Sequence, residues 1–184
     1  VAGVTSTIAD GSYNAGDVID IVVTFNEAVV VTGTPQLTLE TGTTDRVVSY
    51  SSGSGSTTLV FQYTVQAGDT AADLDYTSAG ALVLNGGTIK DVAGNVATLT
   101  LASPGASGSL GANKALAIIP TVTLSSNATT IAEDGTAVIT ATLDYASTTE
   151  TVVLFDPSGT ATRGTDFKGK NSTEYAIGAT HQAG

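Results

Sequence analysis

The chain has 184 residues, a length for one or two domains, and 41% of them are hydrophobic, enough to build a core. Seventeen acidic residues against six basic ones give a net charge of −11, which repels nucleic acid and other polyanions. The absence of Cys excludes a disulfide scaffold, a thiolate zinc site and a thiol nucleophile.

No apolar run approaches the roughly 20 residues of a membrane helix, so membrane insertion is not expected. No signal peptide is recognisable, and the chain reads as a mature product or an excised segment. The lack of Cys and Met suits an oxidising exterior. Helix is set aside, because Val, Thr and Ile dominate the apolar runs and the period is two.

From the N-terminus, Val1 to Ile8 is extended with alternating apolar residues. Asp10-Gly11 reads as a turn. Ile19, Ile21, Val23 and Phe25 form one apolar face of a strand, with Asp20 and Thr24 on the other. Ser51 to Thr58 reads as a flexible hairpin tip. Its Gly53-Ser54-Gly55 is no phosphate loop, because a strand and not a helix follows. Leu59, Phe61, Tyr63 and Val65 repeat the alternation, with Gln62 and Thr64 facing away. Asn85-Gly86-Gly87 and Gly94-Asn95 are turn signals, Asn-Gly supplying the positive φ angles of a tight hairpin. Lys114 to Ile119 predicts a last strand, and Pro120 makes a short, stiff junction. Beyond it, Thr121 to Ser125 predicts a first strand. Ala137, Ile139, Ala141 and Leu143 then alternate with Val138, Thr140 and Thr142, the Asp134-Gly135 turn preceding them. Thr173 to Ile177 predicts a further strand. Half-buried strands at this spacing point to antiparallel sandwiches. The expected fold is all-β: two Ig-like antiparallel β-sandwich modules in series, residues 1–119 and 120–184, the second incomplete. At 64 residues, segment 121–184 is short against the roughly 100 of a full sandwich.

Several stretches occur in a recognisable order. They are Ala9-Asp10-Gly11-Ser12-Tyr13-Asn14-Ala15-Gly16-Asp17, Val23-Thr24-Phe25-Asn26-Glu27-Ala28-Val29 and Gly33-Thr34-Pro35-Gln36-Leu37-Thr38-Leu39. Tyr63-Thr64-Val65-Gln66-Ala67-Gly68-Asp69, Asp73-Leu74-Asp75-Tyr76 and Ile89-Lys90-Asp91-Val92-Ala93-Gly94-Asn95 follow. Together they resemble the bacterial Ig-like repeats found in tandem in very large surface and secreted proteins. That resemblance implies an extracellular, mostly structural module without enzymatic activity. In the second segment, Ile131-Ala132-Glu133-Asp134-Gly135 and Gly159-Thr160-Ala161-Thr162-Arg163-Gly164-Thr165-Asp166-Phe167 resemble motifs of a Calx-beta domain. The family pattern continues with further strands and an acidic cluster beyond Gly184. The resemblance makes Glu133 and Asp166 candidate calcium ligands, with part of the ligand set missing.

Acidic side chains are the remaining candidate chemistry. Calcium takes six to eight oxygen ligands from carboxylates and carbonyls on loops. Asp69, Asp73 and Asp75 lie within seven residues, and Asp-x-Asp puts two carboxylates on the same side of an extended chain. They are the candidate calcium ligands of the first module, although Asp in a turn commonly bonds its own backbone. The sequence does not decide whether Asp10, Asp17 and Asp91 lie at the same end as this cluster or at the opposite one. Asp91 reads as the cap of a tight Asp-Val-Ala-Gly-Asn turn. Tyr76 reads as a corner tyrosine bonded to backbone. His181 is the single His, and no Ser sits in a Gly-x-Ser-x-Gly elbow, so no catalytic residue is assigned. With no Trp and few aromatics, a sugar-stacking cleft is poorly supported. Asn127-Ala128-Thr129 and Asn171-Ser172-Thr173 match the N-glycosylation pattern, which is short enough to arise by chance.

These readings lead to an extracellular structural module of a bacterial surface adhesin or stalk, with calcium stiffening its loops. Its partners would be neighbouring copies or repeat domains of the same protein. The alternative is a filament subunit joined by strand complementation, with Val1 to Ile8 as donor for the open edge of the incomplete module. A weaker alternative is a module that binds a surface glycan or a protein through the loops of one end.

Overall fold

The computed structural model describes residues 1–127, 138–144, 151–154 and 174–177, the last two segments by their backbone alone. The chain divides into two compact units, Val1–Ile119 and Pro120–Gly184. Among the described residues, both are built mainly from β-strands.

Unit 1 runs β1 (Gly3–Ser6), β2 (Gly11–Tyr13), β3 (Val18–Thr32), β4 (Gln36–Glu40), β5 (Arg46–Ser52), β6 (Ser56–Thr64), β7 (Asp75–Tyr76), β8 (Leu82–Val83), β9 (Thr88–Asp91), a one-turn helix α1 (Leu110–Asn113) and β10 (Leu116–Ile118). One curled sheet has the order β1-β3-β6-β5-β4-β7, with β9 joined to β3 and β8 joined to β4. A second, two-stranded sheet pairs β10 with β2 in parallel. All pairings of the large sheet are antiparallel.

The period-two pattern explains which faces are hidden. Ile19, Ile21, Val23 and Phe25 of β3 meet Leu59, Phe61 and Tyr63 of β6 in a core that also takes Leu37, Leu39, Leu74, Tyr76, Ile89 and Leu116. Their polar neighbours Gln62 and Thr64 face solvent. β3 continues past an irregularity between Thr24 and Val29 and exchanges one partner for another. Its first half pairs with β1 and β6, and Val29–Thr32 pairs with β9. β5 likewise divides itself. Arg46–Ser49 pairs with β4, while Tyr50 and Ser52 pair with β6. Such changes of partner curl the sheet around its apolar face.

Three local expectations come out differently. The hairpin tip is tied down and not free: Gly55 N–H donates to Val29 O (2.7 Å), Val31 N–H to Ser54 Oγ (2.9 Å) and Ser54 N–H to the Tyr50 hydroxyl (2.8 Å). Asp10-Gly11 makes no hairpin turn, because Gly11 is already the first residue of β2. A single helical turn does form, at Leu110–Asn113, where Ser109 caps the Ala112 N–H with its hydroxyl (3.2 Å). The Asn85-Gly86 turn forms, with Asn85 at φ 47°, Gly86 at φ 76° and Gly87 N–H bonded to Leu84 O (2.8 Å).

In unit 2, β11 (Val122–Ser126) pairs antiparallel with β12 (Ile139–Leu143), and β13 (Thr151–Leu154) with β14 (Glu174–Ile177). The β11–β12 register puts Val122, Leu124, Ile139, Ala141 and Leu143 on one face and Thr123, Thr140 and Thr142 on the other. Leu124 and Ile139 nevertheless remain 52% and 54% exposed. Glu133, Asp166, Asp134-Gly135 and His181 lie outside the described residues.

Candidate functional site

The acidic residues of unit 1 separate into distinct settings. Asp69 is fully buried at the turn that follows β6. Its Oδ1 takes the Arg46 guanidinium (2.7 Å), and its Oδ2 accepts from the Tyr63 hydroxyl (2.7 Å) and the Gln66 N–H (2.9 Å). A carboxylate in that position ties β5, β6 and the 66–69 turn together. Burial of its charge is offset by a cation and two further donors.

Asp73 and Asp75 point the same way, as alternate residues of an extended segment do. Their Oδ2 atoms both approach Gly111, 3.4 and 3.0 Å from where a side chain there would begin. Asp75 Oδ1 accepts from the Tyr76 N–H (2.9 Å), and its Oδ2 accepts from the Gly105 N–H (2.9 Å). Asp73 Oδ1 accepts from the Leu116 N–H (3.3 Å). Both carboxylates thus hold the segment that leads into the last strand. Among the described residues, no group of three or more His, Asp or Glu side chains is placed to hold a metal ion.

Asp10 stands 60% exposed and bonds Lys114 Nζ (2.9 Å) and the Ala115 N–H (3.2 Å). The Lys114 ammonium, then the Ala115 amide, hold its carboxyl below the usual value. Asp91 caps its turn as expected, accepting from the Asn95 N–H (2.8 Å) and the Asn95 side-chain amide (2.6 Å). The Asn95 side chain first, and then the backbone amides of the turn, lower its pKa. Folding stability from both groups is present above the ordinary carboxylate range and is lost as pH falls through their lowered values. Asp17 accepts from the Asn14 N–H (2.8 Å) in the turn before β3.

The chain matches no known protein-family model, no curated protein and no solved structure.

Tyr76 is buried and donates from its hydroxyl to Ala102 O (2.7 Å), the corner arrangement expected of it. Burial, with the nearby Asp75 charge, pushes its pKa up to about 12. The folded protein therefore keeps a proton that the unfolded chain would release near 10. The stabilisation it provides is intact below pH 10 and fades as pH rises toward about 12. Tyr76→Phe is expected to cost about 1 kcal/mol in urea unfolding at neutral pH. It should also remove a phenolate component titrating near 12 from the alkaline ultraviolet absorbance. An unchanged titration curve would show that Tyr76 is not that component.

Arg46, Lys114, Asn14 and Gly111 are the residues that sequence reasoning passed over. Arg46 and Lys114 are two of only six basic residues in the chain, which was a usable signal. Their partners lie 23 and 104 positions away, beyond any local pattern.

Two shallow hollows mark the surface of unit 1. One, of about 170 Å³, lies beside Phe25, Glu27, Asp91 and Thr98. The other, of about 320 Å³, lies between Arg46–Ser49 and Gln62–Gln66. In the first, the Asp91 carboxylate is already engaged by Asn95.

Proposed function

We propose that this chain is a non-enzymatic, extracellular structural segment, a stalk or spacer built from Ig-like β-sandwich modules in series. The observation that carries this reading is where the chain enters and leaves unit 1. Ala2 N–H bonds Thr24 O (2.7 Å), and the Val1 nitrogen bonds Thr98 O (3.0 Å). Ile119 N–H bonds Tyr13 O (3.0 Å), and the Asn14 side chain bonds Ile119 O (3.0 Å), next to the turn that opens β3 at Val18. Thr24 and Val18 are six residues apart on one strand, roughly 20 Å. A module that takes the chain in at one level and releases it at another suits linear propagation. The resemblance of its motifs to tandem bacterial Ig-like repeats supports the same reading. The low charge density, 12% of residues, suits an exposed scaffold.

Calcium is the cofactor this reading would call on. In unit 1 the fitting residues are Asp73 and Asp75, whose oxygens flank the space that Gly111 leaves open. Two carboxylates supply few of the six to eight oxygens calcium needs, so any binding there would be weak. Asp69 has given its oxygens to Arg46, Tyr63 and Gln66.

Sedimentation velocity on the whole chain, with millimolar calcium and then with chelator, tests these points together. A monomer in both conditions is the expected result, and open-ended assemblies would overturn the stalk reading in favour of the filament. The filament would have to free its donor first, because β1 within Val1 to Ile8 is paired to β3 of its own unit. A calcium-dependent rise in melting temperature that Asp73→Asn abolishes is expected if unit 1 binds the ion. A rise that survives this substitution would place the ion elsewhere.

A further inference from the structure

The last strand of unit 1 is bonded along both edges. Toward β2, Gly11 N–H donates to Ala115 O (3.0 Å) and Ile119 N–H to Tyr13 O (3.0 Å), bracketing a parallel register from Leu116↔Gly11 to Ile118↔Tyr13. On the other edge, Ile118 and Ala71 exchange two bonds (2.8 and 3.1 Å), and Leu74 N–H donates to Leu116 O (2.8 Å). Side chains close the ends of this assembly. Asp10 takes Lys114 and the Ala115 N–H, Asp73 takes the Leu116 N–H, and Asn14 donates to Ile119 O.

The strand directions give this arrangement a mechanical meaning. β1 is antiparallel to β3 and runs from the level of Thr24 to that of Ile21, toward the Val18 end. β2 meets β3 through the turn closed by Asp17 N–H and Asn14 O (3.0 Å). A turn of that size reverses the chain, so β2 also runs toward the Val18 end. β10 is parallel to β2 and shares its direction. Tension applied at Val1 and Ile119 therefore draws β1 and β10 along their own axes in opposite senses. Bonds that run across the strands are then strained together, whereas a hairpin pulled open at one end loses them one after another.

We infer that β10, gripped between β2 and residues 71–74, is a mechanical clamp that lets unit 1 carry tension along the chain. The purpose of such a clamp rests on the stalk reading, while its strength is a property of the strand geometry alone. Asp10, Asn14 and Asp73 are its fasteners. Their partners all lie in the segment Lys114–Ile119.

The test is constant-force unfolding of the full chain, held between two marker domains. Unit 1 is identified by a step of about 400 Å, the contour length of its 119 residues. Wild type is expected to release unit 1 in one step. Asp10→Ala with Asn14→Ala, both at exposed bonds, should shorten its lifetime under force roughly tenfold or more. Gln62→Ala is the control. It removes an exposed bond to Asp20 (3.1 Å) between β3 and β6, and the lifetime should be unchanged within about twofold. Asn14→Ala alone is pulled if the double variant shows no cooperative urea transition. Equal lifetimes for wild type and the fastener variant would overturn the clamp, as would equal shortening by Gln62→Ala. Short lifetimes in a chain that sediments as a monomer would sink the clamp and spare the stalk. Open-ended assemblies would sink the stalk and leave the lifetimes to be judged separately.

Discussion

Asp69→Ala is expected to lower the unfolding free energy by about 3 kcal/mol, measured by urea denaturation at pH 7. The side chain is fully buried and serves three donors at once. Alanine leaves the Tyr63 hydroxyl and the Gln66 amide without this acceptor, in a site that solvent reaches poorly. The cost of a stranded buried donor is about 1–3 kcal/mol. The Arg46 end adds less, because its side chain is 32% exposed and water can replace the lost partner. Asp69→Asn keeps a side chain of the same shape and one acceptor oxygen, so its loss should be clearly smaller. Near-equal losses for the two substitutions would mean that shape, not hydrogen bonding, is what Asp69 contributes. Unchanged stability in Asp69→Ala would remove it from the framework of unit 1. A ligand role would then be open again.

Gly53→Ala should destabilise by about 3 kcal/mol. Gly53 sits at φ 107°, a conformation that side chains rarely adopt, and a methyl group there would overlap the Thr58 carbonyl oxygen. Leu59 Cα lies 3.1 Å from the same point. These obstacles are backbone atoms of β6, which cannot turn aside as a flexible side chain can. Relief requires the tip to part from β6, and with it the anchors from Gly55 to Val29 and from Ser54 to Val31. Gly55→Ala, two residues on, isolates the conformational part. Its φ is 86°, but nothing lies within 4 Å of the new methyl, so about 1 kcal/mol is expected. Thermal denaturation of the two variants side by side gives the comparison. A larger loss for Gly55→Ala would show that crowding against Thr58 is not what reserves position 53 for glycine.

What was legible in the sequence is local. Ile19, Ile21, Val23 and Phe25 recur at every second position, with Asp20, Val22 and Thr24 between them, and the same four are buried in β3. The hairpin around Gly53, the Asn85-Gly86 turn and the Asp91 cap each depend on residues a few positions apart, and all three form. Tyr76 beside its backbone acceptor followed from its place at a strand corner. The helical turn at Leu110–Asn113 escaped notice because four residues are too few to show a period of 3.6.

The acidic residues show where such reading stops. Asp69, Asp73 and Asp75 are neighbours in the chain and formed one candidate ligand set. In the fold, Asp69 faces Arg46 and Tyr63, while Asp73 and Asp75 face Gly111 and the approach to β10. Val1 to Ile8 had the alternation of a donor strand, but alternation does not name a partner, and β1 takes its place on β3.

The sequence by itself determined that the chain is all-β, which faces of β3 and β6 are buried, and where several turns fall. Side-chain alternation and turn chemistry act over two to five residues, and one chain suffices to express them. Only the tertiary structure decided the parallel partnership of β2 with β10, the sharing of β3 among β1, β6 and β9 and of β5 between β4 and β6, and the ion pairs Arg46–Asp69 and Lys114–Asp10. Strand pairing draws on backbone groups that are the same in every residue. Which strands meet is settled when the whole apolar surface is buried at once.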